Sequence, residues 1–498
     1  MEEIKFDNEA RELLLEGVND LNNAVSKTMG PNGSTVIIPS DKEHGKYIVT
    51  KDGVSVAKAI KFKNPYKNIG AQLIKKAAEQ TVKEAGDGTT TATVLATAFV
   101  NNLKDFEYND VQKAFDEIIP KVIKQLEDNS KKLNKEDIVH VAKISANNDN
   151  VIAEVIQDAY NHSNIVKVEE SNSLTDKLEL IDGMNLMTGY MSKHFETNEK
   201  RSIAELDNPH VLIIDGKIEN IKPLQYIFEQ VAINNESLLI ICEHINENIL
   251  RALESNVLSQ NIKLCVMKSP GFSTHRKNLL DDIAEFTKSH VIKDLSKPPS
   301  LTMLGRLRSA TIGDKTSILT KVDSINIDNY VEVLESKLKD VTEDYEKELL
   351  EQRINNLKAS VSIIKVGGKN ELEMKERFDR YDDAIKAVAC ALEEGIVEGG
   401  GVALMKTILS LDVVENKINS KLATSLIAPY SIIFNDSKIY IDNELEEIML
   451  IDIGVNMFER NIIDPLKVTK TALLNAVAVA KTILSTKAIV LNEYQWKD

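Results

Sequence analysis

Residues 84–96 read EAGDGTTTATVLA. Glycines on both sides of Asp87 let the backbone turn sharply and come close to a ligand, and Thr89, Thr90 and Thr91 supply hydroxyls and N–H groups where a helix begins. Those groups suit phosphate. A carboxylate among phosphates makes electrostatic sense only with a cation between them, so Asp87 reads as a magnesium ligand, with the ion keeping waters and taking phosphate oxygens. The same letters also describe a tight turn followed by a capped helix, and at this point both readings stand.

Two further turns carry chemistry-bearing residues. TMGPNG, residues 28–33, is a Gly/Pro turn at a helix end, and TKDG, residues 50–53, sets Lys51 and Asp52 in a turn after a strand. Neither is a Walker A loop, since GxxxxGK[ST] is absent, and no GxGxxG follows a strand. The three cysteines, Cys242, Cys265 and Cys390, lie far apart with no CxxC or Cys/His cluster. They read as reduced, buried thiols rather than a disulfide framework or zinc site.

The elements that must position these turns follow from periodicity. Leu14, Val18, Leu21 and Val25 recur at helical spacing, as do Val111, Phe115, Ile118, Val122 and Leu126, so residues 1–127 read as mainly helical. STVIIPS and KYIVTKDG read as a short hairpin. From about 183 to 290 apolar runs such as HVLIID, SLLIIC and KLCVMK alternate with helical segments, which predicts an α/β domain. Residues 333–358 form one long charged helical pattern, followed by the strand-like SVSIIKV. Small-residue helices return in IVEGGGVALMKTIL and KVTKTALLNAVAVAKTIL, so a helical domain opens and closes the chain around an insertion.

Composition narrows the function classes. The chain has 498 residues, 43% apolar and 28% charged, and its 61 basic against 77 acidic residues give a net charge of −16. Such a length implies roughly two to four domains. So acidic a surface repels nucleic acid and anionic lipid, no run reaches the ~18 apolar residues of a membrane span, and MEEIKFDNEARELL has no signal-peptide pattern. No nucleic-acid or membrane partner is expected.

Taken in order, TMGP, VTKDGVSVAKAI, NIGAQLIKKAA, EAGDGTTTATVLA, KISANND, PGF, EEGIVEGGGVAL and IIDPLKVTKTAL closely resemble the group I chaperonins, the bacterial and organellar Hsp60 family, over essentially the whole chain. The resemblance implies a multidomain α+β and α/β chaperonin fold. Its parts are a mainly helical equatorial ATPase domain (1–127 and 394–498), a small intermediate domain (128–182 and 361–393) and an inserted α/β apical domain (183–360).

By the same resemblance ATP is held by Thr28, Met29, Gly30, Pro31, Lys51, Asp87, Gly88, Thr89, Thr90, Thr91, Gly399, Gly400 and Asp464, with Mg²⁺ on Asp87 and K⁺ offsetting charge beside Lys51. Asp383 in YDDAIKA matches the water-activating carboxylate on a moving domain, and Asp52 a second carboxylate near the γ-phosphate. Tyr190, Phe195, Phe228 and Leu250 match client-binding positions. The resemblance further implies a homo-oligomeric ring, heptameric and single or double, with unfolded proteins as clients, a possible cochaperonin, and a cytoplasmic location, bacterial or that of a viral host.

The chain departs from the family in three places. His194, Gln225, Glu254 and Ser255 stand where the family has apolar residues, which predicts a more polar client groove and puts use of a cochaperonin in doubt. Gly183 is kept, but Ala359 and Ser360 replace a glycine pair, which predicts a stiffer return hinge. ELEEIMLIDIGVNMFER replaces the segment that contacts adenine, and the chain ends VLNEYQWKD without the Gly/Met-rich tail. Adenine contacts therefore do not transfer. These departures, with an Asn-, Ile- and Lys-rich composition, fit a diverged member, viral or from an AT-rich genome. Against the leading expectation of a folding chaperonin stand an ATP-binding assembly scaffold or single-client holder and a small-molecule phosphotransferase.

Overall fold

The computed structural model describes residues 3–30, 33–39, 47–171, 173–198, 201–341, 343–411, 416–434 and 456–491. Its contacts divide the chain into two units, residues 1–158 with 368–498, and residues 159–367.

The first unit begins with α1 (Asp7–Val25), a 3₁₀ turn Ser26–Thr28, and the antiparallel hairpin Val36–Pro39 with Tyr47–Thr50. There follow α2 (Gly53–Ala59), α3 (Pro65–Ala85), α4 (Thr89–Leu103), α5 (Tyr108–Asp128), α6 (Ile138–Ser145) and α7 (Asn150–His162), within which the boundary to the second unit falls. Local sequence explains the starts: Asn64 accepts the Tyr66 N–H at 3.0 Å ahead of Pro65, whose fixed φ suits the first helical position.

The second unit holds two sheets. In the first, Lys263–Lys268, Ser237–Cys242, His210–Ile214 and Val291–Ile292 run parallel in that order, and Gly305–Arg306 pairs antiparallel with His210–Ile214. SLLIIC is buried throughout, because a central parallel strand is covered on both faces. The second sheet runs Ile165–Glu170, Ser360–Val366, Lys177–Leu186, Ser317–Thr320, Ser309–Ile312, Ala204–Asp207. Around them lie α8 (Gln225–Ile233), α9 (Glu247–Leu258), α10 (Ser273–Thr287), α11 (Asp328–Asp340) and α12 (Asp344–Leu357).

One expectation from periodicity fails here. The charged pattern over 333–358 is two helices rather than one, broken after Asp340 where Val341 turns extended at φ −80°, ψ 129°. The β-branched Val341 ends the helical run there.

The chain re-enters the first unit through α13 (Glu371–Glu394), α14 (Val402–Ser410), α15 (Lys417–Phe434) and α16 (Leu466–Ser485). The core of this unit combines Val18 and Leu21 of α1, Phe99 of α4, Phe115 and Val122 of α5 with Leu426 of α15 and Leu473 of α16. Phe99 and Phe115 meet edge to face at 5.3 Å, and Ala92, Ala96, Ala472 and Ala476 let α4 and α16 approach closely. Sequence halves nearly four hundred residues apart thus share one core. Among the described residues no helix is long and apolar enough to cross a membrane.

Candidate functional site

Every part of the candidate site lies in the first unit. α3 ends at Gly86 (φ 72°), whose N–H donates to Val82 O at 2.7 Å, and α4 starts after Gly88 (φ 95°). A Cβ on Gly86 would sit 2.4 Å from Lys386 Cβ, so only glycine lets α13 pass over this loop. Asp87 is half-buried between them. Its Oδ1 accepts the Gly88 N–H at 2.5 Å, and its Oδ2 accepts the Ser145 hydroxyl at 3.4 Å.

TKDG and TMG meet the loop at one point. A Cβ on Gly53 would lie 2.4 Å from Thr90 Oγ1 and 3.4 Å from Thr28 Oγ1, which brings residues 28, 53 and 90 into contact. Asp52 caps α2: Oδ1 accepts the Val54 N–H at 3.0 Å and Oδ2 the Ser55 N–H at 2.8 Å. The far end of α2 is tied by buried Lys75, which donates to the carbonyls of Lys58 and Ile60. Met29 leads into Gly30 (φ 75°), while Pro31 lies outside the described residues. Lys51 is exposed in its turn, and Thr91 is half-buried on the first turn of α4.

Asp464 enters on the strand Ile463–Pro465, which pairs with Ile396–Glu398. Its Oδ2 accepts the Gly400 N–H at 3.1 Å, and Gly399 lies against its other oxygen. Asp383 comes from α13, where Arg380 pairs with Asp149 at 2.8 Å and Lys386 with Asp382 at 2.8 Å.

The electrostatics tie these segments together. Burial first, then the charges of Asp87 and Asp52, raise the Asp383 carboxyl well above the usual range. Asp87 is raised by burial and by Asp52, against the opposing pull of the Gly88 N–H, Ser145 and Lys386. Asp464 is pushed up to about 7 by burial and the charge of Asp87. Carboxylates that raise one another's proton affinity create a demand for cations.

Do these residues fit Mg²⁺ and a phosphate ligand? The Thr89 hydroxyl is buried at the start of α4 without a hydrogen-bond partner, and Asp87 keeps acceptor capacity beside it in sequence. Among the described residues no three or more His, Cys, Asp or Glu side chains form a metal cage. Magnesium does not need one, being commonly held by one or two carboxylates with phosphate oxygens and water completing its shell. The residues present fit such a group, and Asp87 is the carboxylate that would hold the ion.

In the second unit the predicted client positions divide. Phe195 is fully buried (0% exposed), because the turn Lys193–Phe195 folds into the core against α9 and the strand Lys263–Lys268. The expectation that its ring faces a client does not hold in this structure. Phe228 and Leu250 are half-buried against the same core, and Tyr190 donates its hydroxyl to Glu196 at 2.6 Å. The large apolar side chains that α8 and α9 expose are Tyr226, Ile233 and Leu258, at 53%, 74% and 65%. Helical phase held the signal that was missed, since Ile227 and Val231 are buried and Tyr226 and Ile233 lie off that stripe. His194, Gln225 and Ser255 are exposed and Glu254 half-buried.

At the expected hinges, Gly183 donates its N–H to Ala359 O at 3.0 Å, and a Cβ there would meet Val361 at 2.2 Å. Packing inside the sheet accounts for that glycine, and Ser360 opens a strand paired on both sides. ELEEIMLIDIGVNMFER falls outside the described residues except for Asn456–Arg460, as does all of VLNEYQWKD after Leu491.

Comparison with known proteins follows the same lines. The sequence model of the TCP-1/cpn60 chaperonin family matches residues 21–428. Among solved structures, the chaperonin gp146 from the bacteriophage EL 2 (Pseudomonas aeruginosa), crystallised in presence of ATP-BeFx, is 23% identical, and the match covers 98% of this chain and 99% of that one. The TM-score is 0.69 for its crystal form II and 0.64, at the same identity and coverage, for form I. At this identity the likeness is one of fold.

Proposed function

The chain belongs to the TCP-1/cpn60 chaperonin family, and from that premise we propose that it is an ATP-hydrolysing chaperonin whose subunits form a ring, heptameric by family analogy, that binds and encloses non-native protein. One observation carries the reading: the carboxylate of Asp383 answers electrostatically to Asp87 and Asp52, some three hundred residues earlier, beside a helix start with a buried, unpartnered threonine hydroxyl.

In this reading Thr28, Met29, Gly30 and Pro31 with Gly88, Thr89, Thr90 and Thr91 surround the phosphates through N–H and hydroxyl groups. Lys51 and K⁺ offset charge, and Gly399, Gly400 and Asp464 shape the nucleoside side. Mg²⁺ on Asp87 would neutralise phosphate charge. Asp383, whose proton affinity lies above that of an ordinary carboxylate, orients water and accepts its proton, as a general base requires. Asp52 is spent on capping α2, so its contribution is the field it adds at Asp383 and the position it gives Gly53. Tyr190, Phe228 and Leu250, with the more exposed Tyr226, Ile233 and Leu258, would meet clients by burying apolar surface. A cytoplasmic setting, bacterial or that of a phage's host, goes with this role.

The test is phosphate release and nucleotide binding by purified variants. Asp383→Ala should keep ATP binding and lose most hydrolysis, about 10²-fold or more for loss of a general base, whereas Asp87→Lys should lose both. Full turnover by the Asp383 variant would mean the base lies elsewhere, and turnover only with an added small acceptor would favour a phosphotransferase instead.

A second reading, an assembly scaffold or holder of one client, is favoured by the exposed His194, Gln225 and Ser255 on the expected client face. ATPase that responds to none of several unrelated denatured proteins would select it. Electron microscopy with and without ATP would count subunits and rings.

A further inference from the structure

The nucleobase side of the site is the part that family resemblance leaves blank, and the described residues offer an occupant for it. The last two residues of α15 touch both glycine turns of the site. A Cβ on Gly30 would lie 3.1 Å from Ile433 Cγ1, and one on Gly400 would lie 3.5 Å from Phe434 Cε2 and 3.7 Å from its Cζ. Both glycines have left-handed backbones, φ 75° and φ 68°.

Phe434 is 42% exposed, and its ring is braced by a second aromatic ring. Tyr430, buried one turn earlier, stacks on it with ring centroids 4.6 Å apart and planes 31° apart. Gly401 permits that bracing, since a Cβ there would come within 2.7 Å of the Tyr430 backbone nitrogen. Gly400 itself is anchored to Asp464 by its N–H. A side chain at 400 would cover part of the Phe434 ring, and glycine leaves that part open.

We propose that Phe434 is the platform on which the nucleobase of the bound nucleotide stacks, with Tyr430 holding the platform in place. The proposal rests on the nucleotide reading given above and adds to it the residue that grips the base. An exposed aromatic ring at the end of a helix is by itself unremarkable. A rigid, tyrosine-backed ring at a glycine turn of the phosphate-bearing unit is what π-stacking of a base requires.

The test separates base from phosphate. Calorimetric titration of the full-length chain with Mg·ADP and with Mg·tripolyphosphate, for wild type, Phe434→Ala, Phe434→Leu and Phe434→Trp, should weaken ADP about 5- to 100-fold in the alanine variant, the range for loss of one base–aromatic stack. Tripolyphosphate binding should stay within about twofold in every variant, which also certifies that the site is folded. Tryptophan should restore ADP affinity and report binding through its fluorescence once Trp496 is replaced by phenylalanine. Leucine, which keeps apolar volume without a π face, should fall between.

Leucine binding ADP as well as phenylalanine does would overturn stacking, and so would an equal loss of both ligands in the alanine variant. Wild type that binds tripolyphosphate but gains nothing from the base of ADP would sink this inference and leave the phosphate site intact. Wild type that binds neither would sink the nucleotide reading itself, and this proposal with it.

Discussion

Asp464 illustrates how a buried carboxylate of the candidate site is held at a cost to the stability of the folded chain. Burial and the charge of Asp87 move its carboxyl from 3.8 to about 7. Below pH ~4 folded and unfolded chains both hold the proton; between ~4 and ~7 the folded chain keeps a proton the unfolded chain has released, so stability falls as pH rises across that window. Asp464→Asn should therefore match wild type in nucleotide-free melting temperature near pH 4, then gain on it progressively and level off above pH 7. A difference independent of pH would remove Asp464 as the cause. Residues of this kind were legible to different degrees. GDGTTT read alone served a capped turn as well as a phosphate loop, and only beside TMGP, TKDG, EGGG and IIDP did it point to a nucleotide. Asp383 is one acid on a helical pattern, and only resemblance singles it out, since its shifted proton affinity arises first from burial and then from residues 87 and 52, none of which periodicity shows. Phe434 could not be found at all from sequence, because an aromatic at a helix end reads the same whether it faces core, solvent or ligand.

At the scale of elements, the second unit depends on a buried ion pair that no periodicity announces. Arg353 of α12 donates twice to Asp282 of α10, at 2.8 and 2.7 Å, and Tyr330 of α11 donates to the same carboxylate at 2.9 Å. Asp282 is 2% exposed and Arg353 8%. Removing one partner strands a buried charge, so Arg353→Met should cost roughly 3–5 kcal/mol, whereas Asp282→Leu with Arg353→Met should recover much of that. Urea unfolding of the full chain, with hydrogen exchange assigning the loss to α10–α12, measures both; a double variant no better than the single would show that the pair contributes net stability. The same helices mark where pattern reading fell short. Charged periodicity over 333–358 gave helix correctly but not the break after Asp340, beyond which α11 and α12 bring Tyr330 and Arg353 onto one carboxylate. The hairpin, the alternating strands and the small-residue helices were legible because one face of each is buried in a regular period.

At the scale of the molecule, the discontinuous layout was readable from similar helices at both ends of the chain. Where one unit yields to the other was less so. The contacts put the boundary inside α7 and at Gly367/Gly368, while sequence spacing and resemblance divide the chain more finely. The strands that carry the chain into and out of the second unit pair in parallel, Val361 beside Ile165 through Val366 beside Glu170. Residues 159–367 expressed alone should consequently fold, with a cooperative thermal transition and native-like hydrogen exchange in both sheets; a chain that stays unstructured would mean this unit needs the other to form. Because these strands are parallel, the chain enters the second unit at one end of the pair, where Ile165 faces Val361, and leaves it at the other, where Val366 faces Glu170. Both crossings are thus held within one sheet of the second unit, and the core of the first is built without them, so the two units can be reshaped at separate rates within one gene.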